Sequence, residues 1–298
     1  MSKELNLTLT RNLVHLGPSA KLHLIGMYIL RNVRMWLRFP LSFFMDIIYN
    51  LSGAATFVFI GIALVKSPTA VGVGNDYTTY VILGLMLTSL TSAGLNGPYQ
   101  SLSESYWFAQ LESILLSPAP VSMRIIGDVI WQILQAIFKS SIYLLLGIIF
   151  GISINPEANL LLLALFLLAA PLSVLGLGLI AASTFMLLNA KGWSDPIRWM
   201  VFTFEGLATG LYFPVAVLPV GIRWLSYCLP QTYLLDGIRT ILLPDYKSSL
   251  VSAQGYGNIG FDLMILLGFI VIVIPIGLFM LRLGLAKAKR DGCLSRWA

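Results

Sequence analysis

The sequence predicts an all-α integral membrane protein. It should have six transmembrane helices, an N-terminal amphipathic interfacial helix, a further helix on the cytoplasmic side, and re-entrant extracytoplasmic helices before the last span. Three observations carry this. Of 298 residues, 57% are hydrophobic and 11% charged, against about a quarter charged in soluble domains. The apolar residues fall in continuous runs near the roughly 20 residues that an α-helix needs to cross a bilayer, and they do not alternate as barrel strands do. The basic residues behind the net charge of +6 flank these runs, which orients a membrane protein and is not a nucleic-acid signal.

Residues 1–19 are expected to be a cytoplasmic tail, 20–290 a single transmembrane domain, and 291–298 a second cytoplasmic tail. No unbroken apolar core marks a signal peptide within the first 20 residues. From Lys21 to Phe39 the chain reads KLHLIGMYILRNVRMWLRF. At helical spacing His23, Arg31, Arg34 and Arg38 share one arc, and Leu22, Ile25, Ile29, Val33, Trp36 and Leu37 the opposite one. Such a helix lies in the membrane interface with its arginines toward anionic headgroups, or serves as a linker whose arginines snorkel. Pro40 breaks it.

The six spans are expected at about Leu41–Val65, Thr78–Gly97, Ile125–Gly151, Asn159–Leu188, Ile197–Pro214 and Phe261–Leu285. Lys21, Arg31, Arg34, Arg38, Arg124, Lys191, Arg198, Arg282, Lys287, Lys289 and Arg290 fall on one side. Lys66, Arg223, Arg239 and Lys247 fall on the other. The first side should be cytoplasmic, with both termini on it, in the plasma membrane. Cys228 and Cys293 then lie on opposite sides and are not expected to pair.

Between the second and third spans, Ser101 and Glu104 make a capping-box pattern, S-x-x-E. Trp107, Leu111, Ile114 and Leu115 follow at helical spacing, and Pro118 and Pro120 end the run. This predicts a cytoplasmic amphipathic helix of about four turns. Its apolar face either packs on the chain's own helix ends or docks into a soluble partner through Trp107 and Leu111. Before the last span, Pro214, Pro219 and Pro230 cut the stretch from Phe213 to Arg239 into pieces too short to cross a membrane. Val220 to Leu229 would reach only about 15 Å as a helix, which marks a re-entrant or interfacial element.

Catalytic and metal motifs are missing. The two histidines, His15 and His23, and two isolated cysteines give no zinc or haem spacing, and no HExxH, GxSxG or phosphate-loop motif occurs. Gly176-Leu-Gly178-Leu-Ile-Ala181 matches a dinucleotide fingerprint in letters only, since it lies within a span. Gly147 with Gly151, and Gly206 with Gly210, are small-residue pairs suited to close helix packing. Four ionisable residues fall at membrane depth. Asp46 and Asp128 lie within about two turns of the cytoplasmic end, where water reaches them. Lys139 and Glu205 lie deeper and would face a shared interior, as a structural pair or with Glu205 on a transport pathway.

Two motifs resemble those of ABC-2 type transporter permeases, the membrane subunits of certain ATP-driven exporters, including daunorubicin-resistance-like and O-antigen or nodulation-factor export permeases. One is Leu111-Glu112-Ser-Ile-Leu-Leu-Ser117-Pro118, similar to L-E-x-L-L-x-[ST]-P. The other is F-P-V-x-x-L-P followed by L-P-x-T-Y-x-x-D-x-x-R, from Phe213 to Arg239. The resemblance covers about residues 20–290. It implies that Glu104 to Leu116 is a coupling helix, with Glu104, Trp107, Leu111, Glu112, Ser117 and Pro118 contacting an ATPase subunit. It further implies that Lys21 to Phe39 is the elbow helix, carrying Arg31, Arg34 and Arg38. Val220 to Leu229 and Tyr233 to Leu243 would form an outer gate with Phe213, Pro214, Pro219, Trp224, Pro230 and Tyr233. The implied partners are two ATP-binding cassette subunits, which carry ATP and Mg, a second permease copy or a related chain, and membrane lipids. The chain itself would hold no cofactor and catalyse nothing. The implied function is outward movement of an amphiphilic substrate of the drug, lipid or glycan class by alternating access. Tyr106-Trp-Phe-Ala-Gln110 departs from the basic, Gly-containing run common before the coupling-helix L-E. The rival readings are a secondary transporter, although no repeat relates the two halves, and a membrane scaffold or assembly protein without an ATPase partner.

Overall fold

A computed structural model of the chain describes residues 17–65, 77–108, 110–116, 120–151, 155, 157–188, 196–243, 246 and 259–291. Among these residues every regular element is helical: α1 (Pro18–Arg38), α2 (Pro40–Val65), α3 (Tyr77–Trp107), α4 (Leu111–Leu116), α5 (Val121–Ile149), α6 (Leu160–Leu187), α7 (Pro196–Ala208), a 3-10 turn at Val215–Val217, α8 (Val220–Tyr227), α9 (Pro230–Leu242) and α10 (Ile259–Asp291). Five of them, α2, α3, α5, α6 and α10, are long and apolar enough to cross a membrane. The chain is therefore a multi-pass helical membrane protein.

The helices start where local chemistry permits. Pro18 and Pro230 open α1 and α9 at the first turn, where a missing N–H costs nothing. The Asn159 side chain caps α6 by accepting from the N–H groups of Leu161 and Leu162 at 3.1 and 3.3 Å.

The bundle is organised around α3 and α6. Helix α3 is the most enclosed of the five, and α6 packs along both α3 and α10. Backbone approaches backbone at these crossings. A Cβ on Gly94 would stand 2.0 Å from the Pro171 carbonyl oxygen, and one on Gly178 would stand 2.5 Å from that of Gly94. Gly176 meets the Val273 backbone in the same way, and Gly277 meets the Gly176 carbonyl. The pairing glycines are thus not those that sequence spacing picks out. A Cβ on Gly151 would meet nothing, and one on Gly206 only the Tyr212 ring. Spacing identifies small residues along one helix face, but which face meets another helix is settled by packing.

Both ends of the bundle can be followed by contacts. At the first end, Arg31 of α1 reaches Asp128 of α5, Tyr106 of α3 packs edge-on against Phe185 of α6, and Lys287 of α10 donates to the Leu187 carbonyl at 2.7 Å. That lysine satisfies the negative C-terminus of α6. At the second end, α9 packs against α6, α10 and α3, and the Asn155 N–H donates to the Leu242 carbonyl at 2.8 Å.

Two expectations about element boundaries are corrected. The fifth predicted span is not one full-length helix. Helix α7 has 13 residues, about 20 Å, and the chain then bends through Gly210, whose φ is +84°. The second predicted span does not end at Gly97. Helix α3 continues through Pro98 to Trp107. The Ser101–Glu104 pattern therefore caps nothing: Ser101 sits in mid-helix, and its backbone carbonyl accepts from the Ser105 hydroxyl. Burial explains the continuation, since Tyr99, Leu102 and Tyr106 pack with Ile125, Val129, Phe185 and Met186. That packing outweighs a proline ring's cost in the helix.

Candidate functional site

The residues singled out by sequence gather at the two ends of the bundle, with a band of charge between them. At the first end Glu104 and Trp107 occupy the last turn of α3. The chain breaks at Phe108, and α4 holds Leu111 and Glu112. A single four-turn helix is not formed. Leu111 is fully buried, packed with the ends of α3, α5, α6 and α10, so the chain covers much of this apolar face itself. Trp107 is half-buried, its ring edge-on to Tyr106 at 6.0 Å. What this end presents outward is Glu104, Phe108, Gln110, Glu112 and Ser113, with Phe108 71% exposed. Ser117 and Pro118 lie outside the described residues.

Helix α1 is fastened to this end by one charge cluster. The Arg31 guanidinium donates to Asp128 Oδ1 at 3.1 Å, the Asn32 amide donates to the same oxygen at 2.7 Å, and Arg124 approaches the other oxygen at 3.5 Å. Tyr28 packs on Gly127, where an added Cβ would lie 2.7 Å from the tyrosine Cβ. Asp128 is therefore a buried, paired carboxylate and not a hydrated one, and Arg31 turns toward the protein. Arg34 and Arg38 stay exposed.

At membrane depth the predicted pairing of Lys139 with Glu205 does not occur. Lys139 Nζ lies 3.0 Å from Asp46 Oδ2, which joins α5 to α2. One turn on, the Tyr143 hydroxyl donates to Asn50 Oδ1 at 2.9 Å, a second polar tie between the same helices. Glu205 is buried on α7 and accepts from the Thr91 hydroxyl of α3 at 3.0 Å. Sequence offered the charges but not the helix faces. Asn50, Thr91 and Tyr143 gave no signal, because single polar residues in a span look alike.

The second end is built around a residue that sequence reasoning placed only inside a motif. Arg239 of α9 is 1% exposed. Its Nη1 donates to the Gly210 carbonyl at 2.7 Å, and its Nη2 to the carbonyls of Leu211 and Tyr80, both at 3.0 Å. The guanidinium carbon stands 3.4 Å over the Tyr80 ring, whose hydroxyl also donates to Gly210 at 2.7 Å. A cation thus caps the carbonyls where α7 ends and ties them to the start of α3. Three turns of α7 run antiparallel to α3, with Arg198 near Asn96, Glu205 on Thr91 and Gly210 on Tyr80.

The predicted gate residues divide into anchored and exposed groups. Pro214 is buried and caps the 3-10 turn, Phe213 is half-buried, and Pro230 and Tyr233 are buried on α9. The Tyr233 hydroxyl donates to the Tyr227 carbonyl at 3.0 Å, and Thr232 to that of Ser226 at 2.7 Å, closing the α8–α9 turn. Asp236, the acid of D-x-x-R, accepts from the Tyr246 hydroxyl at 2.8 Å. By contrast Pro219 is exposed and Trp224 is 64% exposed, on a ridge with Val217 and Val220. Cys228, on the turn, is a free thiol, and Cys293 lies outside the described residues. Among the described residues no group of His, Cys, Asp and Glu is arranged to hold a metal ion.

The sequence matches no protein-family model, and none of the curated proteins compared with it matches.

Proposed function

We propose that the chain is the membrane subunit of an ABC-2 type ATP-driven exporter, moving an amphiphilic substrate of the drug, lipid or glycan class outward across the plasma membrane. The observation that carries the reading is the position of the two motifs on the bundle. The L-E-x…S-P stretch begins at α4 at the first end, and the F-P…D-x-x-R stretch forms α8 and α9 at the second, just before the last long helix. In this reading α7 with residues 209–214 is a short sixth crossing, and the first end is cytoplasmic. Helix α1 is interfacial, and α8 and α9 are re-entrant. Glu104, Trp107 and Glu112 meet an ATP-binding subunit, of which two serve a pair of permease chains, and ATP with Mg is held there.

Helix α3 supplies the transmission. It is one 31-residue rod. Its last turn carries Glu104 and Trp107, and Tyr80, near its start, is held by Arg239 and Gly210. Pressure on the α3–α4 corner is therefore delivered to the α7–α9 junction without any flexible link.

The test is to purify the tagged chain from its native membranes in a mild detergent, identify co-purifying chains and assay ATP hydrolysis. A stoichiometric ATP-binding subunit is expected. Glu112→Ala should weaken the coupling of hydrolysis to transport and leave the Tm unchanged, because Glu112 is exposed. A chain that purifies alone without ATPase activity overturns the reading. It would favour a secondary transporter, which the Asp46–Lys139 pair and buried Glu205 would then serve, or a membrane scaffold.

A further inference from the structure

We propose that the elbow between α1 and α2 is a discrete site for one anionic bilayer phospholipid, its phosphate on Arg38 and its upper acyl chain in the crevice beside it. The elbow forms because Phe39 leaves helical geometry (φ −116°, ψ 69°) and Pro40 restarts the chain as α2. The two helices leave a crevice of about 750 Å³, lined by Trp36, Arg38, Phe39, Leu41, Ser42 and Met45. Its walls are apolar and open. Phe39 is 61% and Leu41 70% exposed, a surface that is stable only against hydrocarbon.

Charge selects the occupant. Of the three arginines of α1, Arg31 is neutralised by Asp128. Among the described residues no hydrogen bond or ion pair is formed by Arg34 or Arg38, and only Arg38 lines the crevice. Asp46, the one acid on α2, is taken by Lys139. An unpaired guanidinium therefore stands over an apolar slot, with no carboxylate to compete for it. The first N–H groups of α2, at Leu41 and Ser42 on the same crevice, have no acceptor within their helix and add to the attraction for an anion. A zwitterionic lipid brings its own cation to this spot and gains less. The floor is rigid, because Trp36 packs edge-on against Phe43, Trp131 and Phe138 at 4.6 to 5.8 Å. The site rests on the membrane character of the chain and is independent of the exporter reading.

The experiment is native mass spectrometry of the full chain in mild detergent, titrated with phosphatidylglycerol or phosphatidylcholine. One phosphatidylglycerol per chain is expected to be retained, and phosphatidylcholine not. Arg38→Gln should weaken retention about fivefold to tenfold, the worth of one basic group at a lipid surface or slightly more. Arg34→Gln, which removes the same charge outside the crevice, should change it by less than about twofold. Leu41→Trp fills the slot, keeps the charge and should also release the lipid. Equal retention of the two lipids overturns the proposal. Equal loss in the two arginine variants does so as well, since it indicates diffuse attraction. Retention confined to a dimeric species also overturns it, since a second copy would then be covering the crevice.

Discussion

Replacing Arg239 by methionine tests the claim that a buried cation holds the second end together. Methionine keeps most of the volume and removes every donor. The guanidinium makes three hydrogen bonds to carbonyls, at 2.7, 3.0 and 3.0 Å, and lies 3.4 Å over the Tyr80 ring. A hydrogen bond with one charged partner contributes about 1.5 to 3 kcal/mol in soluble proteins, whereas interhelical bonds in a membrane average about 0.6 kcal/mol. The Gly210 carbonyl keeps its bond from the Tyr80 hydroxyl in the variant, so the main loss falls on Leu211. Burying the cation opposes these gains. The balance is a loss of about 3 kcal/mol, which lowers Tm by about 6 °C or more at roughly 2 °C per kcal/mol for a chain of this size. Thermal unfolding in detergent, followed by loss of the monodisperse species, reads it. Tyr80→Phe removes one neutral bond and should cost about 1 kcal/mol. Arg239→Lys should fall between the two, because an ammonium lacks the planar fork that reaches three carbonyls at once. A Tm for Arg239→Met within about 2 °C of the parent would refute the reasoning. So would a Tyr80→Phe variant that is equally damaged.

Three further outcomes follow from the same geometry. Gly94→Ala places a methyl 2.0 Å from the Pro171 carbonyl oxygen, so α3 and α6 must separate. The variant should lose about 3 kcal/mol or fail to accumulate, while Gly53→Ala, whose methyl meets nothing, should express normally. Lys139→Met strands the Asp46 carboxylate near hydrocarbon and should destabilise more than Lys139→Met with Asp46→Asn. A double-mutant cycle is expected to give a coupling of about 1 kcal/mol, and additivity would show that the 3.0 Å pair is not maintained. Asp128→Asn leaves Arg31 and Arg124 facing each other without their shared anion. It should cost about 1 to 3 kcal/mol and speed protease cleavage within α1, and unchanged cleavage would mean that α1 is held by Tyr28 packing alone.

Much of the fold was legible because long apolar runs in a membrane protein leave little choice. With no water to satisfy the backbone, such a run becomes a helix wherever it stands. The prolines at 219 and 230 likewise announced α8 and α9, since each opens a helix it cannot continue from the other side. Local signals failed where packing competed with them. The S-x-x-E pattern at Ser101 looks like a helix start only if the chain is read alone. In the bundle, Leu102 and Tyr106 are buried against neighbouring helices, and α3 continues past Pro98.

The sequence by itself determined what is one-dimensional in this protein: a helical membrane class, the approximate places of the long helices, and the short pieces between prolines. Tertiary structure alone decided what depends on which faces meet. It gave Lys139 to Asp46 and Glu205 to Thr91, and turned Arg31 inward to Asp128. It made Gly94 and Gly178 the closest approach in place of the spaced glycine pairs. It also ended α7 at Ala208 and set Arg239 on the carbonyls beyond it. The physical reason is that hydropathy depends on each residue and its near neighbours. A buried charge's partner instead depends on the rotation of two helices about their axes, which only the packed bundle fixes.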